Sequence, residues 1–290
     1  MAGYQLDARF QACSLLLEAG IPCVVWCEDA VAHYGVPTVV FELYVLVPDI
    51  DEAAKVLTQK GWSVGDETQS MFGNAQLLSA HRSLIPPIDS NANLDIYIPV
   101  LSTEIIPVTE LPPPPSKRIP APVKTILLPA AEWNFTLPLY DGSPTSIFPP
   151  LPKLLDGLID KLLDDPLTDN MFWVHLAVLI SYLYGNVSVL RQKAFAEKLT
   201  FDHRQFHFDW ISGMSTGNLP FIRHERPIRD ALRRGTYQLR ECSADRNDET
   251  LFAANIEARI MASRTSSFTP EEYENDRRDI RAAEIADFNT

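Results

Sequence analysis

The chain has 290 residues, of which 46% are hydrophobic and 22% charged, with a formal net charge of −13. That length can bury a real core and suits two domains, and a mean hydropathy of −0.06 is that of a soluble globular protein. Residues 1–110 hold four Lys and Arg against fourteen Asp and Glu, a charge that repels nucleic acid and anionic membrane surfaces.

Leu6, Phe10, Cys13 and Leu17 recur at helical spacing, and Gly20 ends this first amphipathic helix. An apolar strand over 21–27 runs into a short helix that Gly35 closes with a left-handed residue. The next strand, 39–47, is nearly continuous in apolar side chains and is expected to be buried on both faces. Asp49 and Glu52 stand in capping-box spacing at the start of a helix whose packed stripe is Ile50, Ala54 and Leu57. Short strands are expected at 62–64 and within 75–85. A clear one over 93–100 places Asp95 opposite Leu94, Ile96 and Ile98.

Residues 107–123 form a Pro-rich connector, expected to be an extended crossing loop rather than a recognition motif. Strand-like pieces follow at 125–128 and 134–137. Beyond Pro149-Pro150 the pattern turns helical, beginning with Leu154, Leu155, Leu158, Ile159, Leu162 and Leu163. A core helix over 169–184 and pieces at 189–199, 203–211, 227–234, 248–264 and 270–286 complete the pattern. The expected organisation is an α/β domain over 1–123, a connector over 124–150 and a helical domain over 151–290.

Cys13, Cys23, Cys27 and Cys242 offer no well-placed pair, so reduced thiols are expected. No basic segment with an apolar core opens the chain. The longest apolar run, Met171 to Leu183, falls short of the roughly 20 residues that span a bilayer. The expectation is an intracellular, cytoplasmic protein.

Two-metal nucleotidyl transfer requires two acids two residues apart on one strand and a third acid on a neighbouring strand. A Gly-Ser pair at a helix N-terminus lets phosphate approach bare backbone N–H groups. Strand, short helix, strand, with Glu42 in the second strand and Asp95 in Leu94-Asp95-Ile96, has this order. Over about 100 residues the chain resembles the nucleotidyltransferase superfamily, and in sequence style a fungal family within it to which no activity attaches. The resemblance implies an α/β (α+β) fold with a mixed sheet and flanking helices. It makes Glu42 the first acid and Asp95 the third, the two catalytic metal ligands, with Mg²⁺ as the cofactor of an active enzyme.

Two departures stand out. Tyr44 takes the second acid's place, and a neutral phenol is a poor Mg²⁺ ligand. Cys27-Glu28 replaces Gly-Ser, with Asp29 next. Glu28 and Asp29 sit where a phosphate would bind, and helix capping is their expected role. A single acidic cluster of Glu28, Asp29, Glu42 and Asp95, able to hold one divalent ion or to raise one carboxyl into general-base range, is the alternative. For Glu42 a buried acid paired with an Arg or a hydroxyl weighs equally.

Arg226, Arg229 and Arg233 share one helical face. Either they clamp a nucleotide or other small phosphate, or they pair with the acidic N-terminal half, which is the favoured expectation. His203 and His207 stand four apart but lack a third zinc ligand, so a polar face toward the N-terminal domain is expected. His33 and His175 are expected to be hydrogen-bonded core residues. The leading expectation is a nucleotidyltransferase-like protein without ordinary two-metal catalysis that binds a ligand or partner. The runner-up is an active transferase using Glu42 and Asp95. A third option, a structural partner protein, needs the 154–163 helix to expose its apolar face.

Overall fold

The computed structural model describes residues 8–67, 70–73, 75–87, 123–138, 147–165, 172–214 and 219–244. The chain divides into two compact units, Met1–Arg240, which holds every element described here, and Glu241–Thr290. The strand expected over 93–100, most of the Pro-rich connector and the helices expected at 248–264 and 270–286 lie outside the described residues.

Among the described residues a five-stranded mixed sheet forms the centre. Its strands are β1 (Val24–Val25), β2 (Leu43–Val47), β3 (Ser63–Val64), β6 (Arg82–Ile85) and β7 (Thr125–Pro129), in the spatial order β1-β2-β7-β6-β3. β2 and β7 are parallel, with Tyr44 beside Ile126, and the other pairings are antiparallel. A separate hairpin joins β4 (Met71–Phe72) to β5 (Ala75–Gln76).

Every residue of β2 is buried, as its unbroken apolar run predicts for a strand covered on both faces. The strand is shorter than expected because Val39 and Phe41 are exposed and the chain joins the sheet only at Leu43. Period-two alternation then divides the core. Leu43, Val45 and Val47 pack with α1 (Gln11–Glu18) and α3 (Ile50–Gln59). Tyr44 and Leu46 face α4 (Leu151–Asp164) and α5 (Phe172–Asn186).

Local signals account for most of the ends. Asp49 accepts hydrogen bonds from the backbone N–H groups of Asp51 and Glu52, the cap that opens α3. Gly35, at φ +84°, ends the chain's path out of α2 (Cys27–His33). Within 189–199 the α-helix expected from periodicity is instead two short 3₁₀ segments, Ser188–Arg191 and Lys193–Lys198. Residues 134–137 do not join a sheet: Asn134 takes a left-handed backbone, and Phe135 packs edge-on against Trp26. α6 (Arg204–Ile211) lies where expected, whereas α7 (Leu219–Arg233) starts eight residues before Pro227, which it carries inside.

Leu154, Leu155, Leu158, Ile159, Leu162 and Leu163 are all buried, so α4 shows no apolar face to a partner protein. Cys13, Cys23, Cys27 and Cys242 form no disulfide with one another. No described helix is long and apolar enough to cross a membrane.

Candidate functional site

The start of β2, the first turn of α2 and the middle of α5 meet beneath the β4–β5 hairpin. Tyr44 is fully buried there and donates its hydroxyl to the Met71 carbonyl in the hairpin. Its ring packs edge-on against Phe72 at 5.3 Å. Burial, then the charges of Glu28, Cys27 and Glu42, pushes the phenol far above its ordinary range, so Tyr44 stays neutral.

Glu28 is also buried. Its Oε1 lies 2.7 Å from His175 Nε2, while its Oε2 is sealed from solvent with no hydrogen-bond partner. Glu42 leaves its own Oε2 in the same condition. Burial holds the Glu42 carboxyl above the usual carboxylate range, against the pull of Lys124 and with the help of Glu28. Among the described residues, no Arg or hydroxyl reaches Glu42 Oε2, contrary to that half of its expectation.

Asp29 forms a two-pronged ion pair with Arg9, at 2.6 and 2.8 Å. Capping, expected of Glu28 and Asp29, is corrected: α2 starts after Trp26 with no side-chain cap. The first turn is enclosed between β2 and α5, so both acids face protein groups rather than their own helix end. Cys27 enters that turn at φ +55°, a backbone that glycine adopts freely and that costs another residue about 1–2 kcal/mol.

Asp95 lies outside the described residues. The strands beside β2 are β1 and β7, and Thr125 and Ile126 stand opposite Leu43 and Tyr44. Among the described residues, neither Glu28 nor Glu42 belongs to any three-residue group whose donor atoms lie close enough to share an ion. Lys124 and His81, whose charges reach Glu42, carry no motif that would have marked them in the sequence.

The arginines lie elsewhere. Arg229 reaches Asp164 at 2.7 Å and Asp230 at 3.2 Å. Arg233 reaches Asp160 and Asp202, both at 2.6 Å, and Arg226 donates to the Asp165 carbonyl. Arg229 and Arg233 do pair with acids, but the acids belong to α4 and its surroundings, not to the N-terminal half. The reason is proximity: α7 packs directly on α4. Neither the phosphate clamp nor the bridge to the N-terminal half describes these contacts.

His203 and His207 also turn inward rather than toward the N-terminal segment. His203 Nδ1 lies 2.8 Å from Asp156 and Nε2 3.0 Å from Asp160. Burial opposes a charged ring, but the two carboxylates outweigh it and raise the His203 pKa to about 9. His207 must donate through Nε2 to the Gln192 carbonyl, which leaves Nδ1 to accept from Tyr184. Burial lowers its pKa and keeps the ring neutral. His175 is hydrogen-bonded as expected. His33 is exposed and stacks on Phe148 at 4.1 Å, which corrects its placement in the core.

An open cavity of about 390 Å³ lies beside this network. Phe135, Phe148 and Pro149 form apolar walls, with Lys153, Asp156 and Thr200 as polar lining. Its size suits a small ligand.

The fold defines a mixed α/β protein, a five-stranded sheet between helices followed by a largely helical C-terminal region. No protein-family model, no curated protein and no solved structure matches the chain.

Proposed function

We propose that the chain is a degenerate nucleotidyltransferase-like protein that has given up two-metal transfer and acts by binding a ligand, in an intracellular setting. The observation that carries this reading is Tyr44. The position expected to hold the second metal-binding acid is a buried neutral phenol committed to the Met71 carbonyl. Around it, Glu28 is engaged by His175 and Asp29 by Arg9, so the phosphate-facing turn is closed by internal pairs. The left-handed backbone at Cys27 suits a descent from a glycine-containing turn. With Arg229 and Arg233 spent on acids and Arg226 on the Asp165 carbonyl, the cavity beside Lys153 and Thr200 is the better candidate for ligand binding, and a small phosphate compound or a nucleotide without metal is the class to try first.

The unpartnered Glu42 oxygen favours a second reading, an active Mg²⁺-dependent transferase that uses Glu42 with Asp95. Calorimetry with ATP, GTP, CTP and UTP, each with and without Mg²⁺ or Mn²⁺, separates the two. Binding without any dependence on metal is expected. Tight metal-dependent binding of one nucleotide, followed by transfer of its label to an acceptor and loss of transfer in Glu42→Ala, would replace the first reading with the second.

A further inference from the structure

The cavity beside α4 has walls of two kinds, and each restricts what can enter. Lys153, Asp156 and Asp160 stand at i, i+3 and i+7 on α4, so one stripe of that helix lines the space. Phe135 and Phe148 supply flat apolar surface. At about 390 Å³ the cavity lies at the small end of the range for ligand sites.

Lys153 stands in the first turn of α4. That turn contains no acidic residue, and among the described residues no ion pair reaches the Lys153 ammonium. A cation at the positive end of a helix dipole is unfavourably placed, and an anion bound beside it offsets both charges.

Asp156 and Asp160 offer a different contact. Both are buried, and one oxygen of each is well occupied. Asp156 Oδ1 accepts from Thr200 and His203, and Asp160 Oδ1 accepts from His203 and Arg233. The other two oxygens are used little. Among the described residues, Asp156 Oδ2 accepts only from the Thr200 backbone N–H at 3.3 Å, a donor it shares with Oδ1. Asp160 Oδ2 accepts only from Asn134 Nδ2 at 3.4 Å. A carboxylate oxygen has about two acceptor sites, so each Oδ2 can take a further donor. The two negative charges do not bar an anionic ligand, because the imidazolium of His203 and the guanidinium of Arg233, which also serves Asp202, lie against them.

We propose, on the reading of this cavity as the ligand site, that it takes a phosphate monoester carrying a vicinal diol, the chemistry shared by ribonucleotides and sugar phosphates. Lys153 and the first turn of α4 hold the phosphate. Asp156 and Asp160 accept from the two hydroxyls, and the rings of Phe135 and Phe148 cover a base or the apolar side of the sugar.

Calorimetry on the full chain in chelator-containing buffer tests this with AMP, GMP, CMP, UMP and ribose 5-phosphate, each beside its 2-deoxy counterpart. Binding is expected without metal, and the deoxy form of the ligand should bind about 10- to 100-fold more weakly, because its missing hydroxyl leaves a carboxylate oxygen without its donor. Lys153→Met should weaken the phosphate ester by about 10-fold. Lys153 is exposed, so this variant folds, which circular dichroism checks. Tighter binding of a nucleotide than of ribose 5-phosphate assigns a base to the two rings, and equal binding assigns a sugar phosphate. Deoxy compounds that bind as tightly as their ribose forms, or a Lys153→Met chain that binds as tightly as the parent, overturn the diol-phosphate site and leave a metal-independent ligand site standing. A chain that binds none of these compounds overturns both.

Discussion

Glu42 stands at the mouth of β2 with one oxygen enclosed and unpaired, and burial holds its carboxyl above the usual range. An acid whose pKa rises on folding opposes the fold once it is ionised in the unfolded chain. Glu42→Gln is therefore expected to raise the melting temperature at pH 7. The gain should shrink as pH falls through the ordinary glutamate range near ~4.3, below which both states are protonated. Thermal melts of the two proteins across that range check it, and a loss of stability at neutral pH would show that the charge is compensated. The sequence made Glu42 visible, because an acid in an apolar strand is conspicuous. It concealed what surrounds Glu42: His81 lies just before β6 and Lys124 beyond a Pro-rich connector, and no spacing rule joins them.

The elements that could be read from local chemistry are those that local chemistry fixes. Asp49 announces α3 because a capping side chain and an amphipathic stripe lie within a few residues of each other. α7 shows the opposite case. Pro227 lacks an N–H and reads as a first helical position, yet packing of Phe221, Ile222 and Glu225 carries the helix through it from Leu219. Gly157 in α4 gives a similar conflict between local preference and packing. Alanine is favoured over glycine in a helix by about 1 kcal/mol. A Cβ at 157, however, would sit 2.9 Å from the Trp26 ring and 3.3 Å from the Trp133 carbonyl. Trp26 is fully buried and has nowhere to turn. Gly157→Ala is expected to destabilise the protein by roughly 1–2 kcal/mol, read from urea denaturation, because overpacking outweighs propensity.

At the scale of the molecule, stability is bounded on both sides of neutral pH by the network around α4. Burial works against charge at Asp160 and Asp202, but His203 and Arg233 prevail and hold both carboxyls below the usual range. Their contribution is present above the unfolded aspartate pKa and is lost in acid. His203 has the opposite sign. Its pKa of about 9 lies above the ordinary value of 6.5, so its contribution is full below 6.5 and fades as pH rises through 9. Denaturation midpoints are expected to fall between pH 7 and pH 10 in the parent, and His203→Gln is expected to lower stability at neutral pH and flatten that decline. An equally steep alkaline limb in the variant would place the titrating group elsewhere. The acidic composition was plain in the sequence. The internal imidazolium was not, since Asp156, Asp160 and His203 meet only once α4 and the 200–204 segment are packed.

The parallel partnership of β2 with β7 also has a bearing on synthesis. Leu43–Val47 leaves the ribosome long before Thr125–Pro129, so the buried strand β2 must wait with one edge uncovered. A nascent chain stalled between those two stretches would present that edge to neighbouring polypeptides, making the interval a natural point of chaperone dependence.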